Sequence, residues 1–514
     1  MNRPMARRVG EPRVTPLAGC LAAALAFGSG AFPAAHAKTF HPAIDQVIER
    51  FGPLDAVRRP PLRQPSVVTL HEPVRPGRRH PAVPTGNIVP VTNCNDDGPG
   101  SLRDAIDSVA VSGDTIDLTH TGCSTITLTT GSIFIGQTDL TLQGPGRSLI
   151  IDGNGAYSLR HIGSGALEIH DLSIVDGRKY SSTADAKGGC IYSHGTATLV
   201  GAYLKYCRAE TADPNDYSFG GAVYGREGVI AVDTDIVLSD AGGAGVSAGG
   251  AVYTPGDATI AYSRIGMNFA RDAGGGVFAR DGLYMKYSSV FDNEAGVAGG
   301  TYGRGNVFIT NSTIAGNRAG FSGAALLDGT GAAAPITLTN STVSGNTALA
   351  FGGLLFRNYP ARVSNSTIAF NSESNYGNYR YGAGFSANSS VELQSSIVAR
   401  NTLQHSVYGP LPDDMGGNGV LTGSNNATEF VVPPLVAPPG TLYGNPYLAS
   451  LSYNGGLTPT HALQPTSPCI DAGNNVTGLS VDQRGPGFPR VIGANTDIGA
   501  FELDLDLIFA DGFD

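Results

Sequence analysis

A Gly-rich start recurs along this chain: GGCIY at 188, GGAVY at 220 and 249, GGGVF at 274, GGTYG at 299, GAALL at 323, GGLLF at 352 and GAGFS at 382. Successive starts lie 32, 29, 25, 25, 24, 29 and 30 residues apart. From 249 onward each unit also carries [I/V]-x-x-N, as in IGMN (265–268), VFDN (290–293), IAGN (314–317), VSGN (343–346) and IAFN (368–371). The last unit keeps Val398 and Asn401 in the same register. A repeat of this length, rich in β-branched residues and without a helical segment, is the mark of a parallel β-helix. A leucine-rich repeat would need its Leu signature, and a propeller blade about 40 residues.

The register within each unit is strict. Five residues before each motif Asn stands a hydroxyl, from Ser263 to Ser396, and eight before it an apolar residue, from Ile260 to Leu393. Strands stacked about 4.8 Å apart would align such positions into ladders. Asn268, Asn293, Asn317, Asn346, Asn371 and Asn401 are therefore expected to bond amide to amide, coil to coil. Length varies between the Asn and the next Gly pair, which marks that segment as the tolerant outer loop. The stretch 114–180 continues in kind. The expected fold is all-β: a parallel β-helix of about ten or eleven coils.

One helical pattern precedes the repeat, SLRDAIDSVA (101–110), with Leu102, Ala105, Ile106 and Val109 on one face. It is expected to cover the first coil, and the region after 440 to cap the other end. The chain then divides into an export signal (1–37), a Pro/Arg-rich linker (38–90), the β-helix with its head (91–430), a C-terminal region (431–502) and an acidic tail (503–514).

The signal reading rests on Arg3, Arg7, Arg8 and Arg13, an apolar run over 17–32, and AHA before Lys38. Cys20 in LAGC and the pair Arg7–Arg8 keep a lipoprotein and a twin-Arg reading open. Ten Pro in 38–90 make an extended spacer. Residues 91–514 hold 21 Lys/Arg against 38 Asp/Glu, net −17. A body this acidic argues against nucleic acid and against anionic lipid. No stretch beyond the signal reaches the length of a membrane helix. The expected location is outside the cell or on its outer membrane. Export makes disulfides plausible, and the pairings Cys94–Cys123 and Cys190–Cys207 leave Cys469 over. With no C-x-x-C and no His cluster, neither a metal nor another cofactor is expected.

Several segments resemble known families. The GG and [I/V]xxN pairing resembles the repeats of polymorphic outer membrane proteins. NCNDDGPGSLRDAIDSV (93–109) resembles the head of CSLREA-type proteins. NPYLASLSYNGGLTPTHALQPTSPCIDAGN (445–474) and DQRGPGFPRVIGANTDIGAFE (482–502) resemble the choice-of-anchor Q region. This resemblance implies an exported bacterial right-handed, pectate-lyase-like parallel β-helix, displayed or secreted. The 113 residues after Asn401 are too few for an autotransporter barrel, and the ending LDLDLIFADGFD is similar to short tails on other exported proteins.

The fold class hosts polysaccharide lyases and hydrolases, but fold does not fix function. Asp233 and Asp235 in VDTD, taken as sharing a strand face, with Arg264 one coil later, are the candidates for acid–base work. A second candidate surface is the row Tyr192, Tyr224, Tyr253 and Tyr302 after the Gly pairs. Their strand neighbours would point inward, so alternation turns the rings outward as a stacking platform. The sequence favours adhesion or recognition of an extracellular glycan or cell-surface partner over a lyase or glycoside hydrolase.

Overall fold

The computed structural model describes residues 86–329, 336–374 and 379–504. The signal reading, nearly all of the linker and the tail from 505 lie outside them. The described chain winds through four sheets, with one short strand per sheet per turn except in sheet 3, where three coils add a second strand (Ala186–Lys187, Tyr217–Phe219 and Val246–Ala248). A representative coil runs Ile191–Ser193 (sheet 4), Thr196–Val200 (sheet 1), Tyr203–Lys205 (sheet 2) and Arg208–Thr211 (sheet 3), then returns to sheet 4 at Val223–Gly225. Sheets 1, 2 and 3 contain 13 strands each and sheet 4 contains 11. Every coil pairs in parallel with the next; the one antiparallel strand pair is a hairpin, Thr402–His405 with Gly409–Pro412, set on sheet 3. This is a parallel β-helix of about eleven coils, wound in the right-handed sense that parallel crossovers adopt.

Strand chemistry fixes which atoms fill the bore. In sheet 1, Val229, Ala258, Leu283, Val307 and Ile336 stack in register, as do Ala231, Ile260, Met285, Ile309 and Leu338. All are buried. Each fully buried aliphatic side chain contributes about 1.5–3 kcal/mol. The Gly pairs are steric. Gly220 and Gly249 sit at φ 66°, in the left-handed region, and a Cβ on Gly221 would run into the Gly250 carbonyl of the next coil.

The first coil is covered by a short helical segment, Leu102–Val109, capped by Ser101 Oγ accepting from Asp104 N at 3.2 Å. Leu102, Ala105 and Ile106 are buried as expected, but Val109 is 56% exposed. Residues 105–109 form a π turn, with Ala110 N donating to Ala105 O. Its wider winding carries Val109 off the buried face. Gln137 Nε2 donates to Ile106 O and Ala110 O, satisfying the end of the helix. The first strand is Ile88–Pro90, so the solenoid begins within the last residues assigned to the linker.

The C-terminal region does more than close the far end. Residues 427–443 cover the last coil, with Ala427–Thr428 pairing Leu442–Tyr443. The chain then turns back and lies along the outer face of sheet 2. Ile397, Ala399 and Ala427 there form a second apolar core with Leu463, Cys469, Ile498, Phe501 and Leu503. Polar pins join the layers. Thr313 Oγ1 donates to Pro459 O (2.7 Å), Thr342 Oγ1 to Gln483 Oε1 (2.6 Å) and Asn340 Nδ2 to Val481 O (2.8 Å). The segment 482–502 folds around its own charges. Arg484 holds Asp482 at 2.6 Å, and fully buried Arg490 lies 3.2 Å from Glu502.

Candidate functional site

A groove of about 700 Å³ opens where the C-terminal layer begins, between sheet 2 and the arm 448–461. Its floor comes from the two free positions of [I/V]-x-x-N on successive coils: Phe291 and Asp292, Ala315 and Gly316, Ser344 and Gly345, then Phe370. The second of these positions takes a left-handed backbone at Asp292 (φ 52°), Gly316, Gly345 and Phe370 (φ 60°). That turn carries the chain from sheet 2 into the Asn ladder. Gly266 leaves room for the Phe291 ring, which a Cβ would strike.

Arg264 stands at one end, exposed, with its guanidinium 5.4 Å from the centre of the Phe291 ring. Tyr453 forms the rim on the arm and is 60% exposed. The arm is held by antiparallel bridges Ser452–Thr460 and Leu448–Leu463, and Asn454 Nδ2 donates to Thr460 O. Asp292 is the one carboxylate among the lining residues, and burial pushes its pKa up. His461 is buried; its Nε2 lies 2.8 Å from Ser344 Oγ and its Nδ1 2.7 Å from Ala449 O. Burial pushes its pKa down, partly countered by the Ala449 carbonyl. Cation, aromatic rings and hydroxyls together can bind a polar ligand that also offers flat apolar faces.

The structure keeps Arg264 beside Asp235, as its register partner on the next coil of sheet 2, but does not bring the two carboxylates together. Asp233 and Asp235 do not share a strand face. Asp233 sits in the turn between Gly228–Val232 and Asp235–Val237, at φ 46°, and that conformation breaks the strand alternation. Both are engaged by Arg147, which reaches from three coils away. Its Nη1 lies 2.7 Å from Asp235 Oδ2, and its Nη2 donates to Asp233 O. Arg264 alone lines the groove.

The tyrosine row is not a platform. Tyr224, Tyr253 and Tyr302 are 4%, 1% and 2% exposed, and Tyr192 is half-buried. Their rings stack on one another and on Phe278, with centroids 5.4 Å apart for Tyr192–Tyr224 and 5.6 Å for Tyr224–Tyr253. They do lie outside the bore, but a further layer covers them. Phe219 stacks on Tyr253 at 4.1 Å, Arg160 lies over Tyr192 and Lys187 over Tyr224.

At the Asn positions, Asn268 Nδ2 donates to Asn293 Oδ1 at 2.9 Å, and the pattern repeats through Asn317, Asn346, Asn371 and Asn401 at 2.8–2.9 Å. Asn401 Nδ2 donates onward to Asp414 Oδ1 at 3.0 Å. A parallel run of serines has Ser263 N donating to Ser288 Oγ, and so on to Ser396. Cys94 is bonded to Cys123, and Cys190 to Cys207; Cys469 is a free, buried thiol. Asp413 and Glu373, neither singled out as a pair by spacing, are fully buried and hydrogen-bonded to each other.

The sequence matches no family profile, and no curated protein matches it. Among solved structures, the crystal structure of pectate lyase Pel9A is similar at 13% identity and a TM-score of 0.33, covering 82% of this chain and 97% of that one. The motif resemblances to CSLREA-type, choice-of-anchor Q and polymorphic outer membrane proteins thus rest on the quoted residues alone. No helix among the described residues is long and apolar enough to cross a membrane.

Proposed function

We propose that this is an exported β-helix protein, secreted or displayed on the outer surface, which holds an extended glycan or a glycan-bearing surface partner in the groove without cutting the glycan backbone. The observation that carries this is the lining: the Phe291 ring lies beside the Arg264 guanidinium at one end, and the Phe370 and Tyr453 rings line the groove further along. Sugar rings stack on such faces, and an arginine fork donates to hydroxyl or carboxylate oxygens. Hydrolysis of a glycosidic bond by the usual route calls for two facing carboxyl groups, and the groove offers Asp292 alone among its described residues. Two disulfides fit an oxidising compartment.

Calorimetry against a panel of neutral and uronate oligosaccharides tests the reading. Arg264→Ala and Tyr453→Ala should each weaken binding about 5–30-fold, equivalent to roughly 1–2 kcal/mol for one lost ring or cation contact. The unsaturated-uronate and reducing-sugar assays should stay flat. Glycan cleavage abolished by Asp292→Asn, or binding unaffected by both alanine variants, would overturn it.

A further inference from the structure

Ser344 breaks the repeat at the floor of the groove. Its register neighbours on sheet 2 are Ala315, Ala369 and Ala399. The ladder serines return their hydroxyls to main-chain carbonyls, as Ser341 does to Thr339 O. Ser344 Oγ instead has His461 Nε2 as its hydrogen-bond partner among the described residues, at 2.8 Å. The other nitrogen of that ring settles the direction of the bond. A carbonyl oxygen only accepts, so His461 Nδ1, 2.7 Å from Ala449 O, carries the proton. Nε2 then holds the lone pair and Ser344 donates to it. A hydroxyl donating to a neutral imidazole whose far N–H is fixed by an acceptor is the arrangement of an activated nucleophile. Burial favours the neutral ring. Both side chains lie in the groove lining, each about 3% exposed, and there is room beside them at Gly345, where a Cβ would meet one atom within 4 Å, at 3.9 Å.

We propose that Ser344 and His461 are a nucleophile and general base that hydrolyse acyl esters, such as acetyl substituents, carried by the ligand of this groove. The choice of an ester-bearing glycan rests on the glycan reading above; the Ser–His geometry does not. Ser344 Oγ would attack the ester carbonyl carbon while its proton passes to His461 Nε2. The C–O bond to the sugar oxygen then breaks, and that oxygen takes the proton from Nε2. Water, deprotonated by the same nitrogen, would release the acyl group as a carboxylic acid and restore the serine. Such a step leaves the glycan backbone whole.

The full mature chain would be treated with a fluorophosphonate probe and mapped by peptide mass spectrometry. In parallel, acetate release from acetylated xylan and turnover of p-nitrophenyl acetate would be measured. Wild type should be labelled at Ser344 and release acetate. His461→Gln should lose at least about 100-fold in labelling rate, the usual contribution of a general base, and Ser344→Ala should lose label and turnover while both variants keep the wild-type circular dichroism. A folded wild type that neither labels at Ser344 nor turns over either ester overturns the proposal, whether or not the variants fold. Calorimetric glycan binding in that same sample would leave the groove reading standing. Labelling at Ser344 without any glycan binding would retain the acyl-transfer pair and remove the glycan.

Discussion

Replacing Asn346 by Leu removes the hydrogen bonding of the Asn ladder while keeping the branched heavy-atom outline of the side chain, although Leu is the bulkier residue. Asn346 Oδ1 accepts from Asn317 N and Asn317 Nδ2, both at 2.9 Å, and its Nδ2 donates to Ile314 O, Ser344 O and Asn371 Oδ1. Leu leaves the Asn317 main-chain N–H with no acceptor and one of the Asn317 amide protons short of its coil-to-coil partner. Both sites are fully buried. At roughly 1–3 kcal/mol for each stranded donor, the loss is about 2–6 kcal/mol. Leu also has no equivalent of the Nδ2 donor that spans the left-handed turn at Gly345 by bonding Ser344 O. Guanidinium denaturation reads the total. Hydrogen exchange at the Asn317 amide reads the local effect, which matters because a solenoid need not unfold as one unit. A loss below about 1 kcal/mol with the Asn317 amide still protected would refute the ladder as a stabilising element.

Two further outcomes follow from buried groups. Burial, then the neighbouring Asp413 carboxyl, push the Glu373 pKa well above its ordinary range, and burial pushes Asp414 to about 6. These groups keep protons in the folded state that the unfolded chain releases, so their stabilisation is full below about pH 4 and falls as pH rises through the folded values. Stability in guanidinium should therefore decrease from pH 5 to 8, and Glu373→Gln, which keeps a donor toward Asp413, should flatten that slope; an equal slope in the variant would count against it. Tyr253→Ala should cost about 3–5 kcal/mol, the range for deleting a buried aromatic ring, because the ring lies between Tyr224, Phe278 and Phe219. A near-neutral effect in thermal unfolding would mean that the ring is solvated.

What could be read from the sequence is what each coil repeats. The positions of Ile265, Ser263 and Asn268 recur because every coil meets the same neighbours above and below. Alternation told which side of sheet 4 the tyrosines take, but not that Phe219, from the extra strand Tyr217–Phe219 on the longer coils, would lie on top of them. The spacing of Asp233 and Asp235 was read as strand, whereas a left-handed residue at Asp233 puts a corner between them. The groove left a fainter signal. The two unconstrained residues of [I/V]-x-x-N are Gly-Met, Phe-Asp, Ala-Gly, Ser-Gly, Ala-Phe and Ala-Arg along the coils, and the middle of that series, from Phe291 to Phe370, forms the floor. Tyr453 and His461 had no such signal. Their placement depends on the C-terminal chain doubling back, a contact more than a hundred residues long in sequence.

That doubled-back layer changes how the rod bears load. A bare solenoid can be peeled from an end one coil at a time, since each coil touches only its neighbours. Here residues 459–500 cross-brace coils from Asn311 to Asn426, through Asn311 to Asp482, Asn365 to Asn474, Ser395 to Gly499 and Asn425 to Ala472. The coils upstream of Thr234 have no comparable brace among these contacts. Pulled from its ends, the molecule should yield first as a ratchet of small steps from the N-terminal side. The strutted half should then rupture in one large event, like a ladder whose lower rungs have been welded to a rail.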